Sequence, residues 1–569
     1  MKKTLLILSL LCAETTVFAQ SNKQADKIFI NGKIITVDAK NTIAQAVAVQ
    51  NGKILAVGNN KQIEKLKGKN TQIVDLGGKT VTPGFIDGHS HFMSFGRANL
   101  ANLNPPPVGN IRKIADIVAE LQKFKAQKGF KDGDWISGFG YDVDQLEEKR
   151  HPRKEDFDAA FPNNPVVITH VSGHMSVANS AALKVAGVTA NTPDPEGGII
   201  ERKDNSNEPT GLFQERAQGL VRVNLSGASK GTLDERLAQL KEQQAYYASF
   251  GVTTAQDGSS SFESLELLRE ASKRGELFID IESLPAYPIV DKVLNNPDYE
   301  YGVLKNHFKI NGFKFFSDGS PQGKTAFFGK AYLTKVPGCN DAICRGFPVV
   351  TQTEFNEAII KAFKNNIQPY VHCNGDAAID MYITAVENAN KLLEASSLNR
   401  RPVVIHSQFV RPDQLDKYKE LGFLPSLFSN HAFFWGDVHE TNLGYERAKF
   451  LSPLKSSIKK GIIATNHTDF GVTPINQLFL LWTSVERKSR SGKVIGPEER
   501  LTPLEGLKAI TINGAYEYFE EKTKGSIENG KLADLVILSD DILTIEPSKI
   551  KEVEVLETIK EGKTVYKKL

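Results

Sequence analysis

The pair His89-Ser90-His91 closes an apolar stretch, Gly84-Phe85-Ile86-Asp87-Gly88. Residues two apart on a strand point to the same side, so two neutral imidazoles here can share one metal ion. Further candidates sit where later apolar runs end. His372 closes Pro369-Tyr370-Val371, His406 closes Val403-Val404-Ile405, and Asp469 follows Asn466-His467-Thr468. Lys314 lies within Gly312-Phe313-Lys314-Phe315-Phe316. A lysine among aromatics on a buried strand is costly as a bare cation, and its ammonium has no lone pair to offer a metal. Carboxylation by carbon dioxide would turn it into a bridging carboxylate. A salt bridge to a site carboxylate such as Asp318 would also meet the cost.

His89, His91, Lys314, His372, His406 and Asp469 together form a donor set for two divalent ions. Zinc is the expected metal, although nitrogen and oxygen donors do not discriminate sharply against manganese or iron. Two ions lower the pKa of a bridging water, to about 7 by analogy with zinc enzymes, and polarise the carbonyl that it attacks. Asp469 is then the expected general base, taking the proton of the water and handing it to a leaving nitrogen. His406, or His431 after the seventh strand, is the candidate to orient the oxyanion. His174, in Ser172-Gly173-His174, is a candidate substrate contact, as are Asp318 and His431.

Such residues need a scaffold that brings distant strand ends together. Short apolar runs alternate with amphipathic helical patterns: Gly84 to Asp87, Thr253 to Gln256, Phe278 to Ser283, Lys309 to Phe316, Gln368 to His372, Val403 to His406, Phe423 to Leu427 and Gly461 to Thr465. This alternation predicts an α/β fold, a (β/α)8 TIM barrel with its site at the C-terminal ends of the strands. Capping boxes at Thr232-x-x-Glu235 and Thr502-Pro503-x-Glu505 predict helix starts. Both ends of the mature chain are strand-rich. Asn31-Gly32, Asn51-Gly52 and Glu561-Gly562 mark hairpins, so a small composite β-sandwich from both termini is expected. A long stretch after the first barrel strand, with its own strand Pro165 to His170, reads as a large insertion roofing the site. The expected division is a leader (1–19), an N-terminal sandwich segment (20–82), barrel (83–94 and 236–524), inserted subdomain (95–235) and a C-terminal sandwich segment (525–569).

With 70 basic and 67 acidic residues in 569, the net charge of +3 gives no electrostatic footprint for nucleic acid. Lys2 and Lys3, an apolar run from Leu5 to Cys12 and Val17-Phe18-Ala19 form a secretory leader. The run is too short to serve as a membrane anchor. Cleavage is expected after Ala19, which places the mature protein in a periplasm or outside the cell. There Cys339 and Cys344 could close a small disulfide loop, or remain free thiols, while Cys373 is expected to pack outward from the strand that carries His372.

At these residues the chain resembles the amidohydrolase superfamily. The match rests on Pro83-Gly84-Phe85-Ile86-Asp87-Gly88-His89-Ser90-His91, Lys314, His372, His406, Asp469 and the closing Gly530-Lys531-Leu532-Ala533-Asp534-Leu535-Val536. More narrowly it is similar to the amidohydrolase 3 group, which includes N-substituted formamide deformylase-like and YtcJ-like proteins. Ser172-Gly173-His174, Ala178-Asn179-Ser180-Ala181-Ala182-Leu183, Glu208-Pro209-Thr210-Gly211, Lys314 to Ser320 and His372 to Ala378 carry that likeness. The resemblance implies a metal-dependent hydrolase of carbon–nitrogen bonds acting on a small-molecule amide, with a homodimer as the assembly to test. His467-Thr468 departs from the small residue and serine that the group usually places before the strand-eight aspartate. A deaminase on the same barrel would want a glutamate soon after His372, and the first is Glu387. A lactonase or esterase could use the same ligands, and a non-catalytic binding protein would be expected to lack one of them.

Overall fold

The computed structural model describes residues 24–94, 100–222, 231–339 and 343–569; the expected leader and Cys12 lie outside them. Eight parallel strands organise the middle of the chain. They are β1 (Phe85–Ile86), β2 (Val252–Ser260), β3 (Asp280–Pro285), β4 (Phe308–Ile310 continued by Gly312–Phe316), β5 (Gln368–Cys373), β6 (Val403–His406), β7 (Leu424–Leu427) and β8 (Thr465–Asn466). Neighbours pair in sequence order. Asn311 interrupts β4, which divides the ladder into a sheet of four and a sheet of five strands. Parallel bridges between Ala286 and Lys314 and between Ser90 and Phe470 link the two sheets.

Alternation along each strand decides which residues can do chemistry. Phe313, Phe315, Val371, Cys373 and Val404 point outward into one core with the helices Gln352–Lys364 and Asp376–Leu392. Lys314 and His372 occupy the alternate positions and face the other way. Cys373 is fully buried in that core, as its register next to His372 requires. The capping boxes form as expected at Thr232 and Thr502. The eighth strand is shorter and later than the run Gly461 to Thr465 suggests. Gly461 takes φ 72° and turns the chain after the helix Leu454–Lys459. Only Thr465 and Asn466 then reach β7.

Strands from both ends of the chain share a six-stranded sheet, in which Leu535–Leu538 lies between Val555–Lys560 and Thr80–Pro83. Phe29, Val47 and Ile54 of a second sheet pack with Val81, Leu535 and Ile559 of the first. Asn51 and Gly52, at φ 50° and 74°, make the tight turn of one hairpin, the geometry that favours Asn-Gly. A buried charge cluster joins this region to the parallel strands. Lys560 contacts Asp280 at 2.9 Å and Asp534 at 3.0 Å, and Lys524 contacts both Asp280 and Glu520.

The stretch between β1 and β2 builds more than the single strand its sequence suggests. It forms a six-stranded sheet in the order Gly198–Arg202, Pro209–Glu215, Met175–Ala178, Val166–His170, Ile136–Tyr141, Ala101–Asn102. The helix Ile114–Lys128 covers it, and Leu121, Ile136, Tyr141, Ile168 and Val177 share a core of their own. Cys339 and Cys344 are joined by a disulfide.

Candidate metal centre

The histidines of the first strand sit just past β1 and turn towards the chain after β8. His91 Nε2 lies 3.3 Å from Asp469 Oδ1, and His89 Nε2 lies 3.6 Å from the same oxygen. These donor atoms form a compact group of the size that holds a cation. The backbone secures the arrangement, because the Asp469 amide donates to His89 O at 3.0 Å. Asp469 takes φ 49°, and His406 and Ser407 take φ 69° and 42°. Such left-handed backbone costs roughly 1 kcal/mol or more per residue and gathers at functional sites.

The orientation of the His89 ring follows from a contact that sequence reading missed. Gln256, on β2, accepts from His89 Nδ1 at 2.5 Å. Its amide nitrogen donates to Gly88 O and to the Tyr518 hydroxyl, each at 3.0 Å. Those two acceptors fix which end of the amide is oxygen, so Nδ1 carries the proton and Nε2 keeps its lone pair for a metal. Two residues on, Gly258 leaves room for the ring. A Cβ there would lie 2.1 Å from His89 Cε1.

Lys314 is almost wholly buried, with Nζ 3.0 Å from His89 Nε2 and 5.0 Å above the Phe316 ring. Burial lowers its pKa to about 7 against the opposing pull of Asp469. The salt bridge to Asp318 is not formed. Asp318 instead accepts backbone N–H groups from Phe327, Asn374 and Gly375, and it anchors those loops rather than lining the cavity. It also lies 3.7 Å from His372 Nε2, so its place is behind the candidate ligand. A carboxylate two residues beyond a strand end looks available in sequence, but here backbone amides claim both oxygens.

On β5 and β6, His372 Nδ1 meets His406 Nε2 at 3.1 Å. Burial first, then neighbouring basic side chains, holds the pKa of His89, His372 and His406 well below the ordinary histidine value. Neutral imidazoles are what a cation requires. For Asp469, burial acts upward, but His91, His467 and Lys314 outweigh it and hold the carboxyl below its usual value. Its Oδ1 is buried and receives no hydrogen bond among the described residues. A buried carboxylate oxygen 3.3 Å and 3.6 Å from two imidazole Nε2 atoms fits a divalent cation. A second cluster, Asp280, His307 and Glu561, has a similar composition. There Asp280 is already paired with Lys524 and Lys560, whose positive charges oppose a metal.

The metal-site candidates open onto a cavity of about 1000 Å³. His91, Lys314, His372, His406 and Asp469 line it, together with His174 and His431. His174 comes from the insertion and packs 4.9 Å from the His372 ring. Its Nδ1 donates to Glu215 at 2.8 Å. Burial works against protonation, but Glu215 and Asp318 outweigh it and raise the His174 pKa. Glu215 had no sequence signal, since its partner is 41 residues away. His431 lies on the helix Asn430–Leu443, with Nδ1 3.0 Å from His439 Nε2. His467 joins the ring cluster, 5.2 Å from His89 and 5.1 Å from His406.

Residues 72–566 match the model of the amidohydrolase family. This chain belongs to that family. The amidohydrolase is 27% identical to the N-substituted formamide deformylase of Arthrobacter pascens, over 95% of this chain and 98% of the relative. It is 28% identical to the putative amidohydrolase YtcJ of Bacillus subtilis, over 95% and 99%. Among solved structures, an uncharacterized metal-dependent hydrolase from Pyrococcus furiosus superposes with a TM-score of 0.68 at 25% identity, covering 91% of this chain and 100% of that one. The amidohydrolase is therefore an enzyme, a hydrolase, with residue groups suited to divalent metals.

Proposed function

We propose that this amidohydrolase cleaves the carbon–nitrogen bond of an N-formyl or N-acyl amide in a small molecule. The observation that carries the reading is the buried Asp469 Oδ1, within 3.6 Å of His89 Nε2 and 3.3 Å of His91 Nε2, on the wall of a roomy cavity. The deformylase relative points to the bond type. His89, His91 and Asp469 would hold one divalent ion and His372 and His406 a second, zinc in both places, with Lys314 as its carbamate serving both. A pKa lowered to about 7 leaves a share of the Lys314 amine unprotonated, free to add carbon dioxide with release of a proton. When bound, the metal supplies Lewis acidity to the scissile carbonyl and to the attacking water.

The remaining steps belong to side chains. The Asp469 carboxylate accepts the proton of the water and returns it to the leaving nitrogen. His431, with one ring nitrogen engaged by His439, offers the other to the oxyanion. His174, held by Glu215, contacts the substrate beside His372. A deaminase reading loses its acid, because Glu387 sits on the outer surface and pairs with Lys417. We further read the two linked parallel sheets as one (β/α)8 barrel, the terminal sheets as a composite sandwich, and the insertion as a roof. The leader and the Cys339–Cys344 disulfide support export.

The test is release of amine from N-formyl and N-acetyl amines by metal-loaded protein, with metal content measured alongside. Asp469→Asn is expected to abolish turnover and His89→Ala to lose metal. Hydrolysis of esters or lactones with no attack on any amide would refute the assignment.

A further inference from the structure

Most cations on the cavity wall have an acidic neighbour. Lys314 feels Asp469, His174 donates to Glu215, and Arg216 lies 3.9 Å from Glu354 at the exposed rim. Arg222 is different. It ends the short helical turn Gly219–Arg222 of the insertion and lines the same cavity. Its Nη2 donates to Thr169 Oγ1 at 2.9 Å, and among the described residues no carboxylate lies within ion-pair range. A guanidinium carries five N–H donors, so a single neutral acceptor leaves most of them and the whole charge uncompensated. Arg222 is half-buried, and drawing such a charge part-way out of water is costly unless an anion meets it. Burial is also the only influence on its pKa, and it acts downward.

The position is built rather than incidental. Thr169 Oγ1 lies 3.3 Å from Ser176 Oγ, which donates to Gln218 Oε1 at 2.8 Å. Gln218 Nε2 in turn donates to Gly173 O at 3.2 Å. These buried groups tie the Arg222 partner to the segment that places His174 against His372. Leu100, Phe139, Val167 and Val472 give the same cavity an apolar lining.

We infer that Arg222 anchors a carboxylate on the substrate, so that the amides this enzyme cleaves carry an anionic group joined to the scissile bond through an apolar spacer. This substrate class rests on the amide-hydrolysis reading above, but the anion site can be tested apart from it. Zinc-loaded enzyme is assayed on N-formyl ω-amino acids of increasing chain length, each paired with the N-formyl alkylamine of the same length. At the chain length that spans the cavity, kcat/KM for the acid is expected to exceed that of its neutral partner by roughly 10- to 100-fold, the range of a charge-assisted hydrogen bond. Arg222→Gln should bring the acids down towards the neutral amides, chiefly through KM, and Arg222→Lys should restore some of the preference. Equal kcat/KM for both series in the wild type overturns the proposal, as does loss of both series by one common factor in Arg222→Gln. Calorimetric binding of the matching alkanoates and alkanols separates the two readings. If neither series is hydrolysed yet alkanoates bind the wild type more tightly than Arg222→Gln, the amide assignment fails and the anion site stands. If alkanoates bind both proteins alike, the anion site falls whatever the turnover shows.

Discussion

Replacing Gln256 by leucine tests whether the supporting shell of the centre, and not only its ligands, sets metal affinity. The change removes the acceptor of His89 Nδ1–H and the donors to Gly88 O and the Tyr518 hydroxyl, all of them buried. Losing a partner that fixes a metal-binding histidine typically weakens metal affinity by about 10- to 100-fold, or about 1.4 to 2.8 kcal/mol at about 1.4 kcal/mol per tenfold. Orphaned buried polar groups cost about 1–3 kcal/mol each, so the metal-free fold should lose about 2–5 kcal/mol after relaxation. The assay titrates metal-free protein with zinc against a competing chromophoric chelator and follows initial rates against free zinc. Half-saturation should shift by that factor while kcat at saturating zinc stays within a few-fold. Tyr518→Phe, which removes one acceptor of the Gln256 amide and the donor to Asp87 O, should shift it less and guards against a Gln256→Leu variant that does not fold. An unchanged zinc affinity in Gln256→Leu would show that His89 needs no such support.

Other outcomes follow from the same geometry. Gly258→Ala puts a methyl group 2.1 Å from His89 Cε1; forced repacking costs about 1–3 kcal/mol, and metal content measured by mass spectrometry should fall. Asp469→Asn should keep its metals and lose turnover by about 10²- to 10⁴-fold, read from single-turnover rates. Glu517 reports on pH. Burial raises its pKa from 4.5 to about 8, so the folded state holds the proton more tightly. Its stabilising contribution is complete below the unfolded value of 4.5 and is lost as pH rises through about 8. Glu517→Gln should therefore flatten the decline in stability between about pH 5 and pH 9 in urea melts, and equal slopes in both proteins would contradict the assignment.

How much of this is legible in the sequence depends on whether a residue announces its setting locally. His89, His91, His372 and His406 lie at the ends of apolar runs, so type and position together mark them. Asp469 is readable for the same reason, although the two-residue β8 that carries it begins later than its apolar run suggests. Gln256 and Gly258 lie on a strand that the sequence reveals, yet nothing in Thr253 to Gln256 shows that the strand runs on to Ser260 beneath the His89 ring. Glu215, Arg222 and the backbone-bound Asp318 acquire meaning only from partners distant in sequence. The sheet of the insertion reads as one strand because Ile136–Tyr141 and Pro209–Glu215, though longer than Val166–His170, are broken by glycines and polar residues instead of being continuously apolar.

The insertion carries a hydrophobic core distinct from that of the parallel strands, yet it supplies His174, Glu215 and Arg222 to the cavity wall. Substitutions at Phe139 or Val167 can therefore reshape the chamber without disturbing the grip of β1, β5, β6 and β8 on the reacting bond. On the reading proposed above, selectivity would be set largely by the insertion and the chemistry by the strand ends.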